Sequence, residues 1–178
     1  MLASSLLIEM IRSAELPYFN PLTVFSRALA RAGQKRWMRW FACWCAWRAL
    51  SLAGDPRCIS ALYVAQRFAR GQATQEELLK AQRAAEQAQK SADMDGYEKD
   101  RDEILYRTAC AVADAAYPQN NDWFAFSAAT QAIEAIMAFE EIKICSHEEY
   151  QRMEKREITA IHNMMIRITK KIEKGIHQ

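Results

Sequence analysis

The chain has 178 residues, of which 51% are hydrophobic, and it carries 24 Lys and Arg against 22 Asp and Glu. This length and charge balance fit one compact unit, so we expect residues 1–178 to form a single helical domain. Only five Gly and four Pro occur, which argues against turn-rich all-β folds, against disorder and against Gly-rich nucleotide-binding loops.

The first two predicted helices are separated by a proline-containing loop. Residues 2–14 carry Leu and Ile at helical spacing, and this stretch ends before Pro17. Asn20 then supplies an N-cap, and Pro21 occupies the first helical position that follows it. An apolar stripe continues to Gly33, where we expect the second helix to end.

The third predicted helix, residues 34–53, carries a stripe of tryptophans. They recur at spacings of three, four and three along one face, at Trp37, Trp40, Trp44 and Trp47. Four indoles on one stripe must be covered by other parts of the chain, and apolar residues surround most of the helix. We therefore expect this helix to lie at the centre of a bundle and to end at Gly54 as a C-terminal cap.

The fourth and fifth predicted helices form a hairpin. Asp55 and Pro56 begin the fourth helix, which continues to Gly71. A capping box, Thr74 to Glu77, begins the fifth, which reaches about residue 91. The fifth helix is expected to turn five residues inward: Leu78, Leu79, Ala81, Ala85 and Ala88.

Three longer helices complete the prediction. They span about residues 97–117, residues 123 to about 145, and a last helix that begins at the N-cap Ser146. An apolar seam is expected along the last helix at Ile158, Ile161, Met165, Ile168 and Ile172. No period-two alternation competes, so we predict an all-α, single-domain multi-helix bundle of about seven to eight helices with helical hairpins.

The sequence lacks the familiar signatures of cofactor and metal chemistry. Four of the five glycines follow predicted helices, which leaves no phosphate-binding loop. His147, His162 and His177 are 15 residues apart, about 22 Å along one helix, too far to share a metal ion. Asp93, Asp95 and Gly96 do not fit calcium-loop spacing. We predict no cofactor and no metal.

Cysteines supply two weaker chemical candidates. Cys145 and His147 flank a predicted helix N-terminus, where the dipole lowers a thiol pKa, and they would form either a pair of metal ligands or a nucleophile and base pair. The simpler interpretation is a Cys in the last turn of one helix and a solvated His in the next. Cys43 and Cys45 would hold a soft metal only with ligands from elsewhere, and their apolar neighbours favour core positions.

The number of cysteines and the hydropathy pattern indicate the cellular compartment of the protein. Five Cys leave at least one thiol unpaired, which favours the reducing cytoplasm. Residues 1–9 have no basic leader, and the most apolar run, residues 40–47, is far shorter than the roughly 20 residues of a membrane span. We expect a cytoplasmic protein with no membrane association.

Charge is unevenly divided along the chain. Residues 1–72 hold 10 basic and 3 acidic side chains, whereas residues 73–178 hold 14 and 19. The basic side chains cluster at the junction of the second and third predicted helices. This cluster would contact nucleic-acid phosphates or an acidic protein, or would simply be solvated helix ends. The acidic half offers the same choice between a binding face and a solvated one. The predicted partner-binding residues are Arg31, Lys35, Arg36, Arg39, Asp100, Asp102 and Glu103.

Residues 43–90 resemble a known pattern. It comprises Cys45-Ala46-Trp47-Arg48-Ala49-Leu50, Gly54-Asp55-Pro56-Arg57, Ala65-Gln66-Arg67-Phe68-Ala69-Arg70-Gly71 and Ala73-Thr74-Gln75-Glu76-Glu77-Leu78. The stretch is similar to small, Ala-rich helical proteins of bacteria and their phages, some of which are grouped as immunity proteins of toxin systems. The resemblance implies a cytoplasmic neutraliser of another protein and carries no catalytic residues. An acidic segment replaces the Ala-Trp and Ala-Arg runs that follow in those proteins.

We therefore expect a non-enzymatic inhibitor that binds a protein partner, either a toxin or a host defence factor. The alternative is a nucleic-acid-binding accessory protein that uses residues 27–40 with exposed Trp37 or Trp40. An enzyme that uses Cys145 and His147 is a third hypothesis. Homodimer formation stays open, because the tryptophan stripe and the seam of the last helix both leave room for it.

Overall fold

The computed structural model describes residues 21–52, 54–94, 100–119, 122–141 and 146–175. Within these ranges it contains no strand, which confirms the all-α prediction. The helix predicted over residues 2–14 lies outside the described residues. The described helices are α1 (Pro21–Arg31), α2 (Lys35–Leu50), α3 (Pro56–Ala69), α4 (Gln75–Met94), α5 (Asp100–Ala115), α6 (Asp122–Glu141) and α7 (His147–Glu173).

Local side-chain caps begin three of the helices as predicted. Asp55 precedes α3 in extended backbone, and its carboxylate accepts from the amide of Arg57 at 2.7 Å. At α4 the amide of Glu77 donates to the Thr74 hydroxyl at 3.1 Å, and the amide of Thr74 donates to the Glu77 carboxylate at 2.6 Å. This reciprocal pair is a capping box. Ser146 caps α7, where its hydroxyl accepts from the amide of Glu149 at 3.3 Å.

The C-terminal ends of α3 and α2 have different backbone conformations. Gly71 follows α3 with φ +73°, a left-handed conformation that glycine adopts without a Cβ clash. The amide of Gly71 donates to Phe68 O at 2.9 Å, which closes the helix end. The prediction that Gly54 caps α2 is wrong, because α2 ends at Leu50 with Ser51 still in right-handed helical backbone.

The remaining helix ends shift by a few residues. α4 reaches Met94, three residues beyond the predicted end near residue 91. α5 ends at Ala115, two residues before its predicted end, and its predicted start near residue 97 lies outside the described residues. α6 ends at Glu141 within the described residues. The hairpin prediction is confirmed, because α3 and α4 pack together across the Gly71 turn.

Helix α2 is the centre of the bundle, as the sequence predicted. It contacts α1, α3, α5, α6 and α7. Its buried side chains face in nearly every direction. They are Trp37, Met38, Arg39, Phe41, Ala42, Cys43, Cys45, Ala46, Ala49 and Leu50. Much of the surrounding core is alanine from α5 and α6, whose small side chains let the helices approach closely.

Helix α7 lies antiparallel to α2 and covers part of its tryptophan stripe. Lys171 Nζ is 5.7 Å from the Trp37 ring centroid near the start of α2, and Glu157, in the first half of α7, is ion-paired with Arg48 near the end of α2. The predicted seam is correct for Ile161, Met165 and Ile168, which are buried. Ile172 is half-buried.

Two predicted core positions are wrong. Ile158 is 55% exposed, because Glu157, one residue earlier, points inward to Arg48. Leu79 is 37% exposed, whereas its neighbour Leu78 is fully buried. None of the described helices combines the length and apolarity that a bilayer crossing requires.

Candidate functional site: a basic groove beside the start of helix α2

Arg39 projects from α2 into the end of α5. Its Nη1 donates to Ala115 O at 2.8 Å, and its Nη2 donates to Tyr117 O at 2.7 Å. These carbonyls belong to the last turn of α5 and the residues after it, where backbone acceptors lack partners within the helix. The side chain is 2% exposed, and burial lowers its pKa. Arg39 therefore closes a helix end inside the molecule.

A groove of about 660 Å³ opens above Arg39. Three segments that are distant in sequence form it: the start of α2, the end of α3 with its turn, and the residues after α5. The Arg39 guanidinium carbon lies 5.1 Å from the Phe68 ring centroid, a cation–π arrangement at the base of the groove. The described lining residues are Lys35, Arg36, Arg39, Phe68, Ala69, Gly71, Ala73, Pro118 and Gln119.

The lining is cationic and apolar, and the described lining residues include no carboxylate. Lys35 and Arg36 are exposed and begin α2. Gln34, at the N-cap position, accepts no side-chain hydrogen bond from the first turn, so the positive end of the helix dipole adds to these charges. Arg36 extends toward the turn after α3. Its Nη2 lies 3.7 Å from the position that a Cβ on Gly71 would occupy.

The structure groups three of the four predicted basic residues. Lys35, Arg36 and Arg39 line the same groove. Arg31 ends α1 and is exposed, separated from α2 only by the tight turn at Gly33. Arg27, one turn earlier on α1, is also exposed. Arg31, Lys35 and Arg36 thus form an exposed basic face, while Arg39 supports the groove from within.

The two tryptophans beside these basic residues, Trp37 and Trp40, are covered by other side chains. Trp37 is 4% exposed, so the expectation of an exposed Trp37 is wrong. Trp40 is half-buried and packs edge-on against Trp37 at a centroid distance of 6.0 Å. Lys171 of α7 lies over both indoles, at 5.7 and 5.8 Å. Neither ring is a flat surface open to stacking with a base.

The predicted acidic residues lie at the other end of α5. Asp102 and Glu103 are half-buried in its first turns, and Asp100 begins the helix with its side chain outside the described part. Glu103 pairs with Arg107 at 2.8 Å, and Arg107 also pairs with Glu134 of α6. From residue 102 to Ala115 the helix rises about 20 Å. The acidic cluster and the groove are two separate regions.

The described cysteines are buried or half-buried thiols. Burial raises the pKa of Cys43 and of Cys58 to about 12, and it also raises the pKa of Cys45. A thiol with a raised pKa is a weak nucleophile and a weak metal ligand at neutral pH. Cys145 lies outside the described residues, so its pairing with His147 stays a prediction. No group of three or more metal-ligating side chains forms among the described residues.

The groove contains residues that the sequence assigned only to caps, turns or the core. Phe68 lies within the predicted fourth helix, Gly71 marks the end of that helix, and Pro118 follows the predicted sixth helix. Their shared position depends on how α3 and α5 end beside α2, and contacts between residues 76 positions apart give no local signal. Only the basic residues of α2 marked the site in advance.

Comparison of the chain with family models, curated proteins and solved structures found no match in any of the three.

Proposed function

We propose that this chain is a non-enzymatic binding protein that inhibits a partner protein by docking on an acidic surface of that partner. The observation that carries the proposal is the exposed basic face of Arg31, Lys35 and Arg36 beside a concave groove. No acidic residue occurs in the sequence between positions 16 and 54. Such a field accelerates association with an acidic partner and discriminates against basic ones.

The class of partner follows from the resemblance of residues 43–90 to immunity-type proteins. A toxin, or a host defence factor in the case of a phage protein, would be neutralised by occlusion and would require no chemistry from this chain. The four described cysteines are free thiols, which supports action in a reducing cytoplasm. The acidic residues Asp102 and Glu103 remain a second candidate contact surface on the far end of α5.

Affinity capture with the purified chain, followed by reconstitution with the captured partner, tests this function. The double variant Arg31→Glu with Arg36→Glu is expected to weaken partner binding at least tenfold. The matched control is Lys80→Glu with Arg83→Glu, which changes the net charge equally on an exposed face of α4. Equal weakening by both pairs, or a partner whose activity is unchanged when bound, would contradict the proposal.

Nucleic-acid binding is the second candidate, because the same exposed cations would meet phosphates. The affinity for a generic duplex would then fall steeply with salt, and Arg36→Ala would reduce the slope of log affinity against log salt by about one. Arg39→Ala would not report on phosphate contact, since Arg39 is committed to backbone carbonyls. A slope near zero at physiological salt removes this candidate.

A further inference from the structure

The groove beside α2 has a fixed base and a charged rim. Arg39 is held by the Ala115 and Tyr117 carbonyls and lies over the Phe68 ring. Because these contacts bury the guanidinium almost completely, it cannot swing outward to follow a ligand. Lys35 and Arg36, in contrast, are exposed at the rim, and the Arg36 side chain can adjust to a ligand.

The walls between base and rim are largely apolar. Ala69, Ala73 and Pro118 contribute short aliphatic surfaces around Phe68. At about 660 Å³ the groove falls within the range of about 300–1,000 Å³ that ligand pockets occupy. An occupant with charge alone would leave these apolar walls in contact with water, and one without charge would make no use of the Arg36 guanidinium at the rim.

We propose that the groove is the docking site for a segment of a partner protein that carries a carboxylate side chain next to an apolar one. The apolar side chain packs over Phe68 and Pro118, and the carboxylate meets Arg36 and Lys35 at the start of α2. This inference rests on the proposed function and names the feature of the partner that this chain recognises. Anchors of this kind, apolar and surrounded by charge, dominate the affinity of many interfaces.

A short peptide provides the probe. Acetyl-Gly-Glu-Phe-Glu-Gly-amide is titrated into the full chain labelled with ¹⁵N, and amide shifts of Arg36, Gly71, Ala73 and Gln119 are followed. We expect saturable shifts at these positions, with a dissociation constant near the millimolar range. Replacing both Glu by Gln, or Phe by Ala, should weaken binding about fivefold each, the effect of one lost contact of modest strength.

Two variants of the chain locate the binding. Ala73→Asp places a carboxylate on the groove wall just before α4, where an acidic residue suits the helix dipole. We expect a normal circular dichroism spectrum and at least tenfold weaker peptide binding. Arg36→Gln should weaken binding about fivefold, whereas the control Arg83→Gln on α4 should leave it unchanged.

Several outcomes would overturn the inference. They are the absence of saturable shifts in the groove at about 10 mM peptide, equal binding of the Glu and Gln peptides, and unchanged binding to Ala73→Asp. Tighter binding of an eight-nucleotide thymidine strand at the same amides would assign the groove to nucleic acid instead. If the captured partner still depends on Arg31 and Arg36 while Ala73→Asp binds it normally, the proposed function stands and the groove inference fails.

Discussion

The Nη1 atom of Arg39 lies 2.8 Å from the carbonyl oxygen of Ala115, which joins the middle of the bundle to the last turn of α5. Arg36, three residues earlier on the same helix, is exposed. Two arginines one turn apart therefore have different roles: one stabilises the fold and the other belongs to the surface. This division defines which positions can be varied to study binding without unfolding the chain.

Arg39→Leu is expected to lower the free energy of unfolding by about 2–4 kcal/mol, because the Ala115 and Tyr117 carbonyls lose their donors inside the protein. Arg39→Lys should be intermediate, since an ammonium cannot reproduce the planar fork of the guanidinium. Urea unfolding measures both. Arg36→Leu is the control and should change stability by no more than about 0.5 kcal/mol. Equal stability of the two leucine variants would show that Arg39 does not support the helix end.

The ion pair between Arg48 and Glu157 joins α2 to α7. The Glu157 side chain is 4% exposed and that of Arg48 is 30% exposed. Arg48→Met should destabilise the chain by about 2 kcal/mol, because among the described residues it leaves the buried Glu157 carboxylate paired with the exposed Arg156 alone. Arg48→Met with Glu157→Leu should recover to within about 1 kcal/mol of the wild type. A double-mutant cycle measured by chemical denaturation gives the coupling, and simple additivity would contradict the pairing.

Asp55 combines a helix cap with an ion pair. The hydrogen bond from the Arg57 side chain, assisted by the Arg57 amide, holds the pKa of the Asp55 carboxyl below its ordinary value. A depressed folded-state pKa stabilises the fold above the unfolded pKa of about 3.9, and this stabilisation is lost as pH falls through the folded pKa.

Asp55→Ala should therefore cost about 1 kcal/mol at pH 7. Asp55→Asn keeps the cap acceptor and loses the charge, so it should be less destabilising at pH 7. Thermal unfolding between pH 7 and pH 2.5 should show the wild type approaching Asp55→Asn as the pH decreases. A constant difference between these two proteins across that range would mean that the charge of Asp55 is not involved.

The thiols provide a test of the packed core. Cys43 is fully buried, and burial also raises the pKa of Cys110, which is half-buried, to about 11. In the variant Cys145→Ser, a disulfide reagent at pH 8 should react slowly with the folded chain and rapidly with all four remaining thiols in urea. Cys110 should be the first to react. A fast native phase in this variant would contradict the burial of the four thiols, and a fast phase that appears only when Cys145 is present would favour a reactive Cys145.

The sequence predicted the parts of the fold that depend on neighbouring residues. The Thr74 and Glu77 capping box and the glycine turn at Gly71 need only contacts within one helical turn, and both were predictable. Inward and outward positions on α7 were not predictable, because Ile158 is more apolar than Glu157 and the ion pair that favours burial of the carboxylate comes from the distant Arg48.

The site was predictable to the same extent. A run of cations without acidic neighbours marked the start of α2, but it could not separate Arg36 from Arg39. That distinction is made by the carbonyls of Ala115, Tyr117 and Pro118, which lie far from α2 in the sequence. The groove likewise exists only because two other helices end beside the start of α2.

The tryptophan stripe of α2 also gives the molecule a built-in optical signal. Four of the five tryptophans in the chain lie on α2. Lys171 of α7 lies over the rings of Trp37 and Trp40. Arg48, which is ion-paired with Glu157 of α7, lies over the ring of Trp44. The emission of these three indoles therefore reports on the contact between the central helix and α7, beside the signals of Trp47, which packs on Tyr63 of α3, and of the exposed Trp123. Displacement of α7 would change fluorescence while most of the backbone helicity persists, so the two signals separate release of that helix from unfolding of the bundle.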